Sequence, residues 1–261
     1  MIKILTTLLS TMRVQMKQSF ARPMFRFCLI ANPILSTVLL YQMYRNAGEE
    51  NFFAFVVLGA GLMGLWSCIC FSSAGDINRE RYSGTLALIF VAPVSFPIII
   101  LGKIIGNTVM SLLTLIISLV TAVVIFRIPV KLESPMYFFV SLMVTILAFV
   151  VISSVIAYML TLSRKTELYM NLIEIPLSLL CGFVFPVTIL PQGVRFVSYI
   201  LSPTHAVELL RMSVWGVHDT EMYFQKLAIV LGLTALYTVL SILLYRKIET
   251  RVRIQASLEV A

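Results

Sequence analysis

Charged side chains are scarce along this chain. Asp, Glu, Lys and Arg make up 12% of its 261 residues, whereas soluble domains carry about a quarter. Hydrophobic residues make up 59%, and the mean hydropathy is +0.97. A soluble core cannot hold that much apolar surface, so we expect an all-α integral membrane protein. The net charge of +8 then reflects Lys and Arg on the cytoplasmic side of a membrane, and we expect no nucleic-acid partner.

Residues that catalyse reactions or bind metals are also rare. The sequence has two histidines and four cysteines, and the cysteines all lie within apolar runs: Cys28, Cys68, Cys70 and Cys181. Cys68-x-Cys70 has no second pair of ligands, so we expect no metal site. The sequence contains no G-x-x-x-x-G-K-[ST] phosphate loop and no Ser/His/Asp or Cys/His set. We therefore expect no catalytic residue in this chain, and only a structural hydrogen bond from His205.

Six apolar stretches are long enough to cross a bilayer at about 20 residues each. In chain order they cover 27–44, 52–74, 97–126, 136–162, 169–190 and 224–245. With both termini in the cytoplasm, fourteen of the twenty Lys and Arg residues fall on the cytoplasmic side, which favours that orientation. We expect a multi-pass protein of the cell membrane, in the plasma membrane of a bacterium, with a single transmembrane domain over 1–261.

The N-terminal segment has helical spacing. Between Ile4 and Phe20 an apolar residue recurs at every fourth position, and the basic side chains lie mainly off that face. This pattern predicts an amphipathic helix over 3–22 that lies at a lipid interface. A helix packed on another part of the protein is the alternative.

The segment that follows the fifth stretch is too apolar for a plain loop. Residues 191–215 are rich in Val, Ile, Leu and aromatic side chains, and Ser202-Pro203 is typical of a helix start with Ser as the cap. We predict an outer re-entrant helical hairpin, with two short helices that dip into the outer leaflet and pack on the bundle.

One apparent nucleotide motif lies inside a predicted span. Gly59-Ala60-Gly61-Leu62-Met63-Gly64 matches G-x-G-x-x-G, but that motif needs a preceding strand and a helix N-terminus that faces a pyrophosphate. Small residues within a span allow close packing of helices, which is the prediction here.

Glu174 is the one acidic residue inside a predicted span. Ionisable groups at this depth usually face a cavity or a partner, so a transport path or gate is one interpretation. A structural hydrogen bond is the other. We expect Pro176 and Pro186 to loosen or kink this span. The candidate path and gate residues are Asn32, Asn171, Glu174, Phe183 and Phe185.

The stretch "DINRERYSGTLALIFVAPVSFP", from Asp76 to Pro97, is both charged and apolar. We expect a helix to carry Asp76 to Tyr82 into the cytoplasm, and Ser83 to cap a second short helix that ends at the prolines. Apolar side chains beside charges are typical of a partner surface. A lipid-lying loop fits the spacing equally well.

Two segments resemble the membrane subunits of type-2 ATP-binding-cassette (ABC) transporters. "NRERYSGTLALIFVAPVSFPIIILGKIIGN" resembles a family pattern through Arg79, Glu80, Gly84, Thr85, Leu86, Pro93, Gly102 and Lys103. "FVFPVTILPQGVRFVSYILSPTHAVELLR" is similar to the late signature of the family through Pro186, Leu190, Pro191, Pro203, Thr204, Glu208 and Arg211. With the six stretches, the resemblance covers nearly the whole chain.

The resemblance implies the membrane subunit of an ATP-driven exporter. Two such subunits, alike or different, would form the path between their first, second and fifth spans, and two separate ATPase subunits would bind ATP and Mg²⁺. This chain itself would hold no cofactor. The region 76–92 would contain a cytoplasmic coupling helix that docks on an ATPase through Arg79, Glu80, Arg81, Tyr82, Thr85, Leu86, Leu88 and Phe90. The structural residues of the outer hairpin would be Pro191, Pro203, Glu208 and Arg211.

The expected substrate is an amphiphilic molecule such as a drug, an antibiotic, a peptide or a lipid-like compound. Export of a lipid-linked saccharide is the alternative within transport. A membrane scaffold or immunity-type protein that sequesters a partner without pumping is the alternative from another class. A secondary transporter is disfavoured because so few charges lie at membrane depth.

Overall fold

The structure is a computed structural model that describes residues 2–45, 53–85, 88–89, 96–127, 132–161 and 166–255. Within these ranges every regular element is helical, as the sequence predicts. A helix satisfies its backbone hydrogen bonds within its own segment, which is required where no water is present. The nine α-helices of the described residues are α1 (Ile2–Ala21), α2 (Pro23–Tyr44), α3 (Leu58–Tyr82), α4 (Phe96–Phe126), α5 (Pro135–Thr161), α6 (Thr166–Leu180), α7 (Gln192–Ile200), α8 (Ser202–Trp215) and α9 (Thr220–Gln255).

Four of these helices are long and apolar enough to cross a membrane, counted over the described residues: α2, α4, α5 and α9. The other two predicted spans are shorter as apolar helices. A π-helical turn, Phe53–Val57, leads into α3, and the turn and α3 together contain the shorter apolar helix Ala54–Cys70. Helix α6 has only 15 residues.

The prediction of one continuous fifth span over 169–190 is wrong. Helix α6 ends at Leu180, and Gly182 has a φ of 73°. The N–H of Gly182 donates to the carbonyl of Leu179 at 3.1 Å, and the N–H of Phe183 donates to that of Ser178 at 3.5 Å. These two bonds form a Schellman closure, which needs a left-handed residue that glycine adopts without steric penalty.

The two prolines of this stretch therefore act differently. Pro176 lies within α6, as expected. Pro186 lies beyond the end of α6, where it precedes a short 3₁₀ turn, Val187–Ile189, so the expected kink at Pro186 is wrong. The apolar run continues through this break, which is why hydropathy did not reveal it, and Gly182 was the available stop signal.

The glycines of the apparent nucleotide motif lie at close helix contacts. A Cβ on Gly61 would lie 2.6 Å from Leu115 Cδ2 of α4, and one on Gly59 would lie 2.6 Å from the carbonyl oxygen of Phe183. The Thr114 hydroxyl donates to the carbonyl of Gly61 at 3.0 Å. The prediction that this motif packs helices is confirmed.

The centre of the bundle is aromatic. The rings of Trp66 and Phe149 lie 5.7 Å apart, and Phe183 packs on both at 6.4 and 5.7 Å. All three side chains are fully buried. They join α3, α5 and the segment after α6 into one core.

The predicted pair of short helices after the fifth stretch is present as α7 and α8. Helix α8 begins at Ser202 with Leu201 as its cap, so the assignment of Ser202 as the cap is wrong by one residue. The Leu201 carbonyl accepts the N–H of Thr204 at 3.2 Å. Helix α8 packs on α5, where Thr145 Oγ1 donates to the carbonyl of Ala206 at 3.2 Å.

Arg211 of α8 holds the broken end of α6. Its side chain is buried and donates to the carbonyls of Gly182 at 2.7 Å and Phe183 at 2.8 Å, and more weakly to that of Ala54 at 3.4 Å. Its guanidinium carbon lies 4.0 Å from the centre of the Phe55 ring, in a cation–π contact. Arg211 thus supplies donors to carbonyls at the point where the helix stops.

Replacing Arg211 by Met should therefore destabilise the fold. Several charge-assisted hydrogen bonds disappear and buried carbonyls lose their donor, so we expect a loss of about 3 kcal/mol. For a chain of this size the midpoint of thermal unfolding in detergent should fall by roughly 6–12 °C. Arg45→Met, at an exposed arginine, is the matched control. Equal midpoints for the two variants would contradict this role.

Candidate functional site: a charged junction and an intramembrane carboxylate

Helix α1 lies against the first half of α4. A Cβ on Gly106 of α4 would lie 2.8 Å from the carbonyl oxygen of Met12, and one on Gly102 would lie 3.0 Å from Thr11 Cβ. These small residues let the two backbones approach closely. Gly102, the glycine of the Gly-Lys pair in the first family pattern, therefore lies at the contact between α1 and α4.

The buried residues of α1 are polar. Gln15 and Ser19 are buried, whereas the apolar side chains of Ile4, Leu9 and Phe20 are exposed. The predicted apolar face of α1 is therefore only partly exposed, because Leu8 and Met12 are half-buried and Met12 lies against Gly106 of α4. Periodicity identified the apolar residues of α1 but not the polar contacts that Gln15 and Ser19 make beside Leu8 and Met12.

Those polar groups meet Asp76 of α3, whose side chain is 4% exposed. Its Oδ1 accepts hydrogen bonds from Arg22 Nη2 and Arg79 Nη2, each at 2.7 Å. A buried carboxylate is tolerated only when it is paired and hydrogen-bonded, and two guanidinium groups provide this here.

Amide side chains complete the set. Asp76 Oδ2 accepts from Asn107 Nδ2 of α4 at 3.3 Å and from Gln15 Nε2 of α1. Ser19 Oγ donates to Asn107 Oδ1 at 2.6 Å. We call these six residues the Asp76 cluster: Gln15, Ser19, Arg22, Asp76, Arg79 and Asn107. The cluster links α1, α3 and α4.

A second ion pair lies close by in the chain. Lys103 Nζ of α4 donates to Glu80 Oε1, and Thr85 Oγ1 donates to Glu80 Oε2. Burial favours a higher pKa for Glu80, but the hydrogen bonds from Lys103 and Thr85 and the charges of Lys103 and Arg79 outweigh it, so the pKa is lowered. Glu80 therefore stays ionised at neutral pH. Three residues of the first family pattern meet at this ion pair.

Helix α3 carries Asp76 to Tyr82, as predicted, and then turns. The N–H of Ser83 donates to the carbonyl of Arg79 at 2.8 Å, and Gly84 has a φ of 66°. A left-handed glycine just past a helix end is the usual C-terminal stop. The role of Ser83 as the cap of a following helix stays a prediction.

The predicted docking residues differ in accessibility. The Tyr82 and Leu88 side chains are 82% and 69% exposed, and the Arg79 side chain is 43% exposed. Glu80 and Thr85 are partly buried against each other. Leu86, Phe90 and the side chain of Arg81 lie outside the described residues.

Glu174 of α6 lies between helices. Its Oε1 accepts a hydrogen bond from Ser67 Oγ of α3 at 2.6 Å, and its backbone carbonyl accepts one from Trp66 Nε1 at 3.3 Å. The side chain is half-buried. In the described part of the chain no basic side chain forms an ion pair with it.

The other predicted path residues are dispersed. Asn32 is half-buried and accepts a hydrogen bond from Ser36 of its own helix at 3.3 Å. Phe185 is half-buried and packs beside α2. Phe183 is fully buried in the aromatic core, so its ring lines no open path in this conformation, contrary to the expectation from sequence. Asn171 lies in α6, with its side chain outside the described part.

The predicted hairpin residues have mainly local roles. Pro191 is the cap residue of α7, and Pro203 is buried near the start of α8. Glu208 of α8 pairs with Lys226 of α9 at 2.6 Å. His205 Nε2 lies 2.9 Å from the carbonyl oxygen of Tyr199, the structural hydrogen bond expected of it.

The described residues contain no candidate metal site. No group of three His, Cys, Asp or Glu side chains there is arranged to hold a metal ion. The four cysteines are buried and unpaired with one another.

An all-helical bundle with four long apolar helices defines an integral, multi-pass membrane protein. Residues 6–215 match the model of the family described as ABC-2 type transporter. The match covers most of the chain, so the chain belongs to this family. It is a membrane permease domain, which lacks ATPase activity, and ATP in such systems binds to a separate ATPase chain. No curated protein matches the chain.

The Asp76 cluster makes a measurable prediction about stability. In a double-mutant cycle of Arg22→Gln and Asp76→Asn, we expect a coupling of about 1–2 kcal/mol, because each change removes the same buried ion pair. The free energy of unfolding in detergent is the quantity to measure. Arg26→Gln, at an exposed arginine one turn further on, should show no coupling to Asp76→Asn. Coupling at both arginines, or at neither, would contradict the pairing.

Proposed function

We propose that this chain is the membrane subunit of an ATP-driven exporter. With a second membrane subunit, alike or different, it forms the pathway for an amphiphilic substrate, while two separate ATPase subunits hydrolyse ATP. Membership of the ABC-2 type transporter family supports this proposal, since permeases of this family typically pair with ABC ATPase subunits. The observation that carries it is the exposed turn at the end of α3, braced from inside by an ion pair.

The proposed arrangement has six spans, with α3 and α6 as the second and fifth, in a single domain over 1–261. Both termini face the cytoplasm of a bacterial cell, which the distribution of Lys and Arg supports. The Asp76 cluster and the coupling region 76–92 then lie on the cytoplasmic side. In this orientation α1 rests at the inner lipid interface, and its exposed apolar side chains face the acyl chains.

Docking on the ATPase depends on exposed residues that contact it and on partly buried residues that hold the turn in shape. Arg79, Tyr82 and Leu88 are exposed and supply direct contacts, and Arg81, Leu86 and Phe90 are further docking residues in this proposal. Glu80 and Thr85 hold the turn in shape through the bond to Lys103. A docking surface needs this support, because contacts transmit motion only when the element that carries them is rigid.

The motion of the ATPases then reaches the helices through the Asp76 cluster. When the paired ATPases close on ATP, the turn after α3 moves with them. Asp76 ties the end of α3 to α1 and to Asn107 of α4, so these three helices respond together. ATP shifts the population of states only through contacts that differ between them, and the docking surface supplies those contacts.

The path lies between α2, α3 and α6 and the same helices of the second membrane subunit. Asn32, Asn171, Glu174 and Phe185 are its proposed lining, and Phe183 supports it from the core. Exposed apolar side chains on α2 and α6, such as Leu35, Leu39 and Ile175, suit an apolar substrate or a subunit contact.

The lipid-linked saccharide is the weaker alternative. Sugars bind along tracks of accessible aromatic rings, and Phe183 is buried while Phe185 is only partly accessible. A scaffold or immunity-type protein without transport would need no docked ATPase. Co-purification of the ATPase therefore distinguishes the exporter from that alternative.

The coupling surface is tested by Leu88→Asp and Glu80→Arg in an affinity-tagged chain expressed in its native cells. Leu88→Asp places a charge on the apolar contact and Glu80→Arg sets three cations together, so both should reduce the co-purified ATPase at least about tenfold. The variants should still insert into the membrane. Substrate efflux should fall in parallel.

Glu221→Arg, the same charge change at an exposed site at the start of α9, is the control and should retain the ATPase. If no ATPase co-purifies with the unmodified chain, or if all three variants retain it, the proposed function is wrong.

A further inference from the structure

Glu174 is a carboxylate within a predicted span, and no basic side chain of the described residues pairs with it. Ser67, its hydrogen-bond partner on α3, lies nine residues before Asp76 on the same helix, which corresponds to a rise of about 13 Å. The hydrocarbon core of a bilayer is about 30 Å thick. With the Asp76 cluster at the cytoplasmic interface, Glu174 lies well inside the hydrocarbon, in the half nearer the cytoplasm.

Among the described residues, one oxygen of this carboxylate has a donor and the other has none. Ser67 Oγ donates to Oε1 at 2.6 Å. No described residue donates to Oε2 in the structure, and the side chain is only half-buried. On the same helix, Ile175 and Leu179 are 63% and 42% exposed. Ile175, the residue after Glu174, and Leu179 one turn further on thus form an exposed apolar strip on this helix.

The predicted spans contain no spare cation to pair with Glu174. Two basic residues occur within the predicted spans, Lys103 and Lys226, and they already pair with Glu80 and Glu208. A second copy of the chain would bring the same two paired lysines. Acidic groups at this depth usually pair with another group or face a water-filled cavity. With both lysines of the spans already paired, a cation from outside the protein is the partner that Glu174 can accept.

We propose that Glu174 binds the positively charged group of an amphiphilic substrate, with the apolar body of that substrate against Ile175 and Leu179. The inference rests on the proposed function and narrows the substrate class to cationic amphiphiles. Ser67 orients the carboxylate by holding Oε1, which leaves Oε2 to meet the cation. The position in the inner half of the bilayer suits a substrate that enters from the cytoplasmic leaflet.

Binding of two probes of similar size tests the charge requirement. Tetraphenylphosphonium is a cationic amphiphile, and triphenylphosphine oxide is a neutral one. The membrane subunit, purified in nanodiscs of zwitterionic lipid, should bind tetraphenylphosphonium saturably. Glu174→Gln keeps the size of the side chain and the acceptor for Ser67, and should weaken binding of the cation at least about tenfold, or about 1.4 kcal/mol. Binding of the neutral probe should stay within about twofold.

Three further variants make the result specific. Glu174→Asp keeps the charge and should retain most of the affinity for the cation. Ser67→Ala leaves the carboxylate but removes its orienting donor, and should have an intermediate effect. Glu221→Gln removes an exposed carboxylate elsewhere and should have no effect.

The proposal is overturned if the unmodified subunit does not bind tetraphenylphosphonium, or if Glu174→Gln leaves that affinity unchanged. It is also overturned if Glu174→Gln weakens both probes equally, since that result indicates a structural role. Because binding is measured on the membrane subunit itself, it does not depend on the ATPase. Failure of co-purification contradicts the proposed function, whereas failure of charge-selective binding contradicts only the cationic substrate.

Discussion

Backbone polar groups within the membrane have no water to bind, so they need partners inside the protein, and much of this structure depends on that constraint. Where α6 stops, Arg211 supplies donors to the freed carbonyls of Gly182 and Phe183, and this contact anchors α8 to the bundle. Hydroxyl pairs act on the same principle, as between Thr37 of α2 and Ser118 of α4 at 2.9 Å. The break in α6 therefore depends on the position of α8, because the carbonyls freed at the end of α6 need a donor from another helix.

The same constraint gathers the charges at one end of the bundle. Asp76 and Glu80 stand one helical turn apart on α3, and each takes a cation from another element. Lys103, which pairs with Glu80, belongs to the same family pattern although 23 positions separate the two residues. Two residues of this family pattern thus contact each other in the folded chain. This contact keeps the exposed turn after α3 joined to α4, which is the property that a docking site for a motor subunit requires.

Much of the fold was predictable from the sequence because hydropathy and helix signals are local. The bounds of α4 and α5 agree with the predicted spans to within one residue, and the charged extension of α3 is helical as expected. The end of α6 was missed because its apolar run continues past the stop. The Asp76 cluster was missed for another reason: Gln15 lies 61 positions from Asp76 and 92 from Asn107, and no local pattern connects residues so far apart.

The sequence by itself determined that this is a helical membrane protein, which family it resembles, and where its long helices lie. These three properties follow from composition, periodicity and short motifs, which depend only on residues close together in the chain. Only the tertiary structure decided which side chains have partners: Phe183 is buried, Asp76 binds two arginines, and Glu174 pairs with none of the described basic side chains. Pairing depends on distances between helices, and those distances are set by packing contacts such as that of Gly106 with α1.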